Sequence, residues 1–332
     1  MHRALPTLAL SACLASGSAL AADWQVQRID TPARVTAIDT VDGGVRVNAG
    51  GLWYRVVADE GGVRLEFVDR ARAPEQPDGA LPDGLVVSGT RDIARVWLAE
   101  PVTRYDHGVL GDKIEAGSLV IEPRDGKRQI VRLKDDAVFE DLRPRLADLD
   151  GDGHDEIVVV KSYLKRGSAL AVIGARDGKY DVIAETPPLG APHRWLDPVG
   201  AADFNGDGKI DLALVRQPHV VGSLELWNFA DKKLRLAGEM ADTANHIAGT
   251  RAINMHAVAD FDGDGVADIA LPSLDRSRIR MIAFAPQPRE IASVTLPGAK
   301  AATDLGLVAG KTSPLIAVGL ADGTLAVIRR NE

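Results

Sequence analysis

The chain has 332 residues, which fits one large β domain or two ordinary domains. Hydrophobic residues at 45% and charged residues at 26% are ordinary for a soluble globular protein, and no charge block marks a disordered tail. The formal net charge of −8 argues against a general nucleic-acid binder, which needs a cationic footprint.

The first 21 residues differ from the rest. A short, weakly basic start (Met1 to Arg3) precedes an apolar run and then "SGSALA", which ends in Ala19, Leu20 and Ala21. This is the layout of a secretory signal peptide, too short and wrongly flanked for a transmembrane helix. The expected mature chain is a single domain, residues 22–332, periplasmic or secreted. The only cysteine is Cys13. "LSAC" around it resembles a bacterial lipobox, so a lipid anchor at Cys13 is the alternative to plain export. Either way no disulfide is available to the mature domain.

Strand patterns follow in groups of four. The first group is read at 35–41, 45–50, 53–59 and 63–69, and the second at 84–90, 94–100, 118–123 and 128–133. The second is interrupted by a long polar loop, Thr103 to Gly117. Three further groups each carry an acidic loop, at 148–156, 203–211 and 260–268, spaced 55 and 57 residues apart. A repeat of that length suggests propeller blades. Only three strands remain at the C-terminus, and "WQVQRI" (Trp24 to Ile29) can supply the fourth. The expected fold is therefore all-β, a six-bladed β-propeller closed by pairing of its N- and C-terminal strands. Seven blades require hidden strands near 70–85 or 103–117, and two stacked β-sandwiches are the other architecture.

The acidic loops alternate oxygen-bearing side chains on a tight glycine-rich turn. Positions 1, 3, 5 and 9 are Asp148, Asp150, Asp152 and Glu156; then Asp203, Asn205, Asp207 and Asp211; then Asp260, Asp262, Asp264 and Asp268. Calcium takes six to eight oxygens in flexible geometry, one commonly a backbone carbonyl. Position 7 is His154, Lys209 or Val266, a variety that leaves only its backbone oxygen as a shared donor. An EF-hand is excluded, because its twelfth position needs a bidentate Glu and these loops have Val159, Leu214 and Leu271 there. Three structural Ca²⁺ sites are expected. Magnesium fits less well, since it demands tight octahedral geometry.

"DxDGDGxxD" followed by a hydrophobic strand resembles the FG-GAP or VCBS repeat, the calcium-loop blade unit of the integrin α-subunit propeller. The resemblance covers roughly residues 143–297. It implies a β-propeller with calcium between the first two strands of a blade, and it implies no single activity.

No zinc-protease, nucleophile-elbow, phosphate-loop or dinucleotide signature is present. The first functional reading is a binding module. The alternative is a polysaccharide- or ester-cleaving enzyme with a funnel site near Tyr105, Asp106 and His107. Alternating connections of an up-and-down blade put the acidic loops on one face. Five of the six histidines beyond the leader fall on loops of the other, with several arginines and lysines. That face is expected to bind an acidic glycan or an acidic protein surface through Lys161, Arg166, Arg194, Trp195 and Arg216.

Overall fold

A computed structural model describes residues 24–41, 43–59, 62–68, 76–310 and 313–331. The expected leader at 1–21 and Cys13 lie outside the described residues. Within them are twenty-five strands and no helix, so no helix is long and apolar enough to cross a membrane.

The chain begins with β1 (Trp24–Ile29). A first unit contains β2 (Val35–Val41), β3 (Gly44–Ala49), β4 (Leu52–Asp59) and β5 (Gly62–Val68). A second has β6 (Val87–Ser88), β7 (Ile93–Val102), β8 (Glu115–Pro123) and β9 (Gln129–Arg132). After β10 (Ala137–Phe139), the third has β11 (Arg145–Ala147), β12 (Glu156–Tyr163), β13 (Gly167–Arg176) and β14 (Lys179–Glu185). The fourth has β15 (Leu196–Ala202), β16 (Asp211–Arg216), β17 (Ser223–Ala230) and β18 (Lys233–Met240). The fifth has β19 (Ala257–Ala259), β20 (Asp268–Pro272), β21 (Arg278–Ala283) and β22 (Arg289–Thr295). The last has β23 (Ala301–Val308), β24 (Leu315–Leu320) and β25 (Leu325–Arg330).

Successive strands of each unit pair antiparallel. The last unit takes β1 as its fourth strand, with Trp24 opposite Arg330 and Ile29 opposite Leu325. The two chain ends are thus held in one sheet. β10 is a strand that the sequence pattern did not predict. It pairs with β12 through residues 137–139, and Phe139 lies opposite Ala116 of β8. This joins the second and third units into one nine-stranded sheet. Three residues before the charged run "EDLRPR" are too few to show a period of two.

Alternation explains the stacking of units. In β12, Ile157 and Val159 enter a core shared with Ile93, Leu98 and Ile121 of the second unit. The intervening Val158 and Val160 enter a core shared with Leu212 and Leu214 of the fourth. In β16 the other face, Ala213 and Val215, packs with Ile269 and Leu271 of the fifth unit. Met281 of the fifth meets Ile316 and Val318 of the last, whose Ala317 meets Val45 and Val47 of the first. Strands buried on both faces read as continuous apolar runs, whereas outer strands such as β18 alternate toward solvent. The second unit's remaining face is covered locally, with Trp97 and Val120 against Ala80 and Val86.

Charged and polar groups are buried as well, among them Asp141, Asp197 and His256. Arg145 pairs with Asp141 at 2.7 Å, and Arg143 donates to Asn254 Oδ1 at 2.5 Å.

Candidate metal loops and the opposite face

The three acidic loops join the first two strands of the third, fourth and fifth units, and they share one hydrogen-bond pattern. The position-1 carboxylate accepts from both loop glycines: Gly151 and Gly153 on Asp148 (2.8 and 3.0 Å), Gly206 and Gly208 on Asp203 (2.7 and 2.9 Å), Gly263 and Gly265 on Asp260 (2.6 and 2.9 Å). These glycines have φ of 77° to 89°, where a side chain would be strained. The position-5 carboxylate accepts from the backbone N–H of position 7, from His154, Lys209 and Val266 at 2.8–2.9 Å. The turn is thus built by the acids themselves.

The ninth-position acid lies at the base of each loop. Glu156, Asp211 and Asp268 are buried and accept from the N–H of Leu149, Phe204 and Phe261. Ligand oxygens of Asp148, Asp150 and Glu156 lie within 4.8 Å of one another, as do those of Asp260, Asp262 and Asp268. Burial, with the neighbouring aspartates adding, pushes Glu156 up to about 7 and Asp268 up to about 7. In the second loop Asn205 and Asn228 turn their amide nitrogens to Asp211, which burial pushes to about 6. The donor set is oxygen only, and it fits a hard divalent cation.

Position 8 of the first loop ties it to the second unit. Arg91 pairs with Asp155 at 2.6 Å, and the Asp155 N–H donates to Asp92 at 2.8 Å.

On the opposite face the structure brings together two of the three residues singled out around 105. Tyr105 is 1% exposed, and its hydroxyl accepts from the His193 N–H at 2.9 Å. His107 lies beside it and stacks on His193, with ring centroids 5.1 Å apart. Asp106 instead faces solvent and pairs with Lys113 at 2.6 Å. Glu140, which sequence reasoning missed, completes the group. It is fully buried, its Oε1 lies 2.6 Å from His107 Nδ1, and its Oε2 accepts from Ser162. Burial raises Glu140, opposed by His107 and Ser162. Burial, with the Glu140 charge adding, pushes Glu115 up to about 10. The only available hint was an acid pair, Glu140-Asp141, directly after an apolar triplet.

A second ring cluster lies on this face. Trp195 stacks on His219 (6.2 Å) and meets His246 edge-on (4.8 Å). His246 Nε2 donates to Thr250 O at 3.0 Å, which leaves its Nδ1 to accept from His219 Nε2 at 2.9 Å.

The five expected ligand contacts occupy unlike positions. Lys161 is largely buried and pairs with Glu185 at 2.6 Å. Arg216 pairs with Glu225 at 2.6 Å. Trp195 is 3% exposed, and its indole donates to Glu140 O. Arg166 covers the Tyr163 ring at 3.8 Å. Arg194 is exposed and donates to Leu189 O at 3.1 Å.

Residues 148–214 match the FG-GAP-like repeat family. That span contains the first two acidic loops. No curated protein matches the chain. Among solved structures, the crystal structure of rhamnogalacturonan lyase YesW aligns with a TM-score of 0.45 and 16% identity, over 91% of this chain and 61% of that one. The chain therefore spans less than two thirds of that lyase's length.

Proposed function

With an FG-GAP-like repeat matched over residues 148–214 and units of four antiparallel strands along the chain, we propose an exported, calcium-stabilised β-propeller binding module that takes an acidic glycan on the face opposite its acidic loops. The observation that carries the calcium assignment is the shared geometry of the three loops. The first and third gather three acids whose ligand oxygens lie within 4.8 Å of one another, and burial, with the neighbouring aspartates adding, pushes the ninth-position acid of each up to about 7. Asp148, Asp150, Asp152 and Glu156, with the His154 carbonyl, would hold one ion. Asp203, Asn205, Asp207 and Asp211, with the Lys209 carbonyl, would hold a second. Asp260, Asp262, Asp264 and Asp268, with the Val266 carbonyl, would hold a third. Calcium held there would add positive charge to these acids and fix the turn.

The glycan reading rests on the exposed cations of the opposite face, Arg166 and Arg194, beside the histidine rings. Lys161, Trp195 and Arg216 act behind them as support, since each has an internal partner. The test is binding of an acidic and a neutral polysaccharide to wild type and to Arg166→Glu/Arg194→Glu. Loss of acidic-glycan binding with an unchanged melt supports the reading. Equal binding of wild type and variant refutes it, and preference for an acidic protein would reassign the partner.

One observation favours catalysis as a second reading. A carboxylate at Glu140 requires the proton on His107 Nδ1, which leaves Nε2 as a base at a partly exposed edge. Polysaccharide or ester cleavage abolished by His107→Gln would establish it.

A further inference from the structure

The third acidic loop differs from the other two in one respect. Arg289, the first residue of β22, places a guanidinium nitrogen 2.7 Å from Asp262 Oδ2 and 3.9 Å from Asp264 Oδ2. These acids hold positions 3 and 5. Among the described residues no position-1, 3, 5 or 9 carboxylate of the first two loops forms a salt bridge; Arg91 reaches position 8 instead. The third loop thus carries its own counter-ion.

The same arginine lines a groove of about 210 Å³ between β22 and β1. Trp24 gives it an aromatic wall, packed edge to face at 6.1 Å on the buried Phe261. The charged residues lining it are Arg289, Arg330, Asp262 and Glu290, two of each sign. Glu290 is committed to the nearly buried Arg280. Arg330, like Glu290, has an interaction of its own, so the groove's balance turns on Arg289 and Asp262. A cation in the loop would consume the Asp262 charge and leave the groove net positive, lined by the Arg289 guanidinium and the Trp24 ring. A guanidinium matches a carboxylate bidentately, and a flat aromatic suits the apolar face of a sugar ring.

We propose that this groove is a calcium-dependent site for a carboxylate-bearing sugar, with Arg289 shared between the loop and the ligand. The proposal rests on the calcium reading above and adds a second site on the molecule. Without calcium, Arg289 neutralises Asp262 and Asp264. With calcium, the ion takes over those acids and the guanidinium serves the groove. Linkage then makes calcium and sugar acid strengthen each other.

The test uses calcium and D-glucuronate, with glucose as the neutral control, on the wild-type protein, Arg289→Gln and Asp262→Asn, each checked for fold by circular dichroism. Calorimetry should show glucuronate, not glucose, binding wild type in millimolar calcium and losing at least about fivefold in affinity without it. Arg289→Gln should lose glucuronate and tighten one calcium site about fivefold, because the competitor is gone. Asp262→Asn should bind glucuronate equally with and without calcium. Unchanged or weaker calcium binding by Arg289→Gln overturns the proposal, as does glucuronate binding to wild type that ignores calcium. A wild-type protein that takes no calcium refutes the calcium reading and this proposal together. One that takes calcium but binds no glucuronate refutes only the proposal.

Discussion

The Nδ1 of His107 and the Oε1 of Glu140 lie 2.6 Å apart, although 33 positions separate them in the chain. His107 belongs to the long loop between β7 and β8, and Glu140 follows β10 beside the third unit. The pair therefore pins that loop to the neighbouring unit. His107→Phe should strip a fully buried carboxylate of a partner and cost roughly 1–3 kcal/mol. Glu140→Gln in the same background should recover part of it. Urea unfolding of the two single variants and the double variant measures the coupling, and strict additivity would deny it.

Calcium removal should lower the melting temperature. At free calcium ten times its dissociation constant, each occupied loop adds about 1.4 kcal/mol. Asp148→Ala and Asp260→Ala should each shrink the calcium-dependent shift without abolishing it. Identical melts in calcium and in chelator would contradict the assignment.

Acid should destabilise the fold through two histidines. Burial pushes His246 and His256 down to about 3. They stay neutral in the folded protein but protonate near 6.5 when unfolded. At these two sites the unfolded state binds more protons across that window, so their contribution to stability is full above about pH 6.5 and is lost as pH drops toward 3. Between pH 6.5 and 4.5 each histidine should cost on the order of 2 kcal/mol. His246→Gln should flatten the pH profile of the melting temperature in that range.

Glu115 works in the opposite direction. Its folded pKa of about 10 exceeds the unfolded value, so the native state holds a proton that the unfolded state has lost. This penalty is absent below about pH 4.5 and grows as pH rises toward 10. Glu115→Gln should therefore raise the melting temperature at pH 8 and leave it unchanged at pH 4. A variant less stable at pH 8 would show that the carboxyl makes a contact the amide cannot replace.

Lys161 and Arg216 should behave as structural cations. Lys161→Glu would face Glu185, and Arg216→Glu would face the buried Glu225. Each reversal should cost about 2–4 kcal/mol, since it leaves a half-buried acid against a like charge. Arg194→Glu, on an exposed side chain, should change stability by less than about 0.5 kcal/mol. Thermal melts of the three variants separate the two classes.

The strands and the acidic loops were legible in the chain because both depend on short-range pattern. A residue's place in a period of two fixes its side of a sheet, so β12 and β18 were readable from apolar spacing, and the pairing of β1 with the C-terminal strands from the one strand missing in the last group. Asp148, Asp203 and Asp260 were readable because loop oxygens and glycines sit within nine positions. Tertiary structure alone decided the opposite face. Trp195 turned inward to donate to Glu140 O. Lys161 met Glu185 across β13, where Ala169 and Ala171 stand opposite the two and leave room. Glu140 met His107, and Arg289 met Asp262 from 27 positions away. Such pairings depend on which loops adjoining units bring together and on which charges lose their water. No local periodicity encodes either.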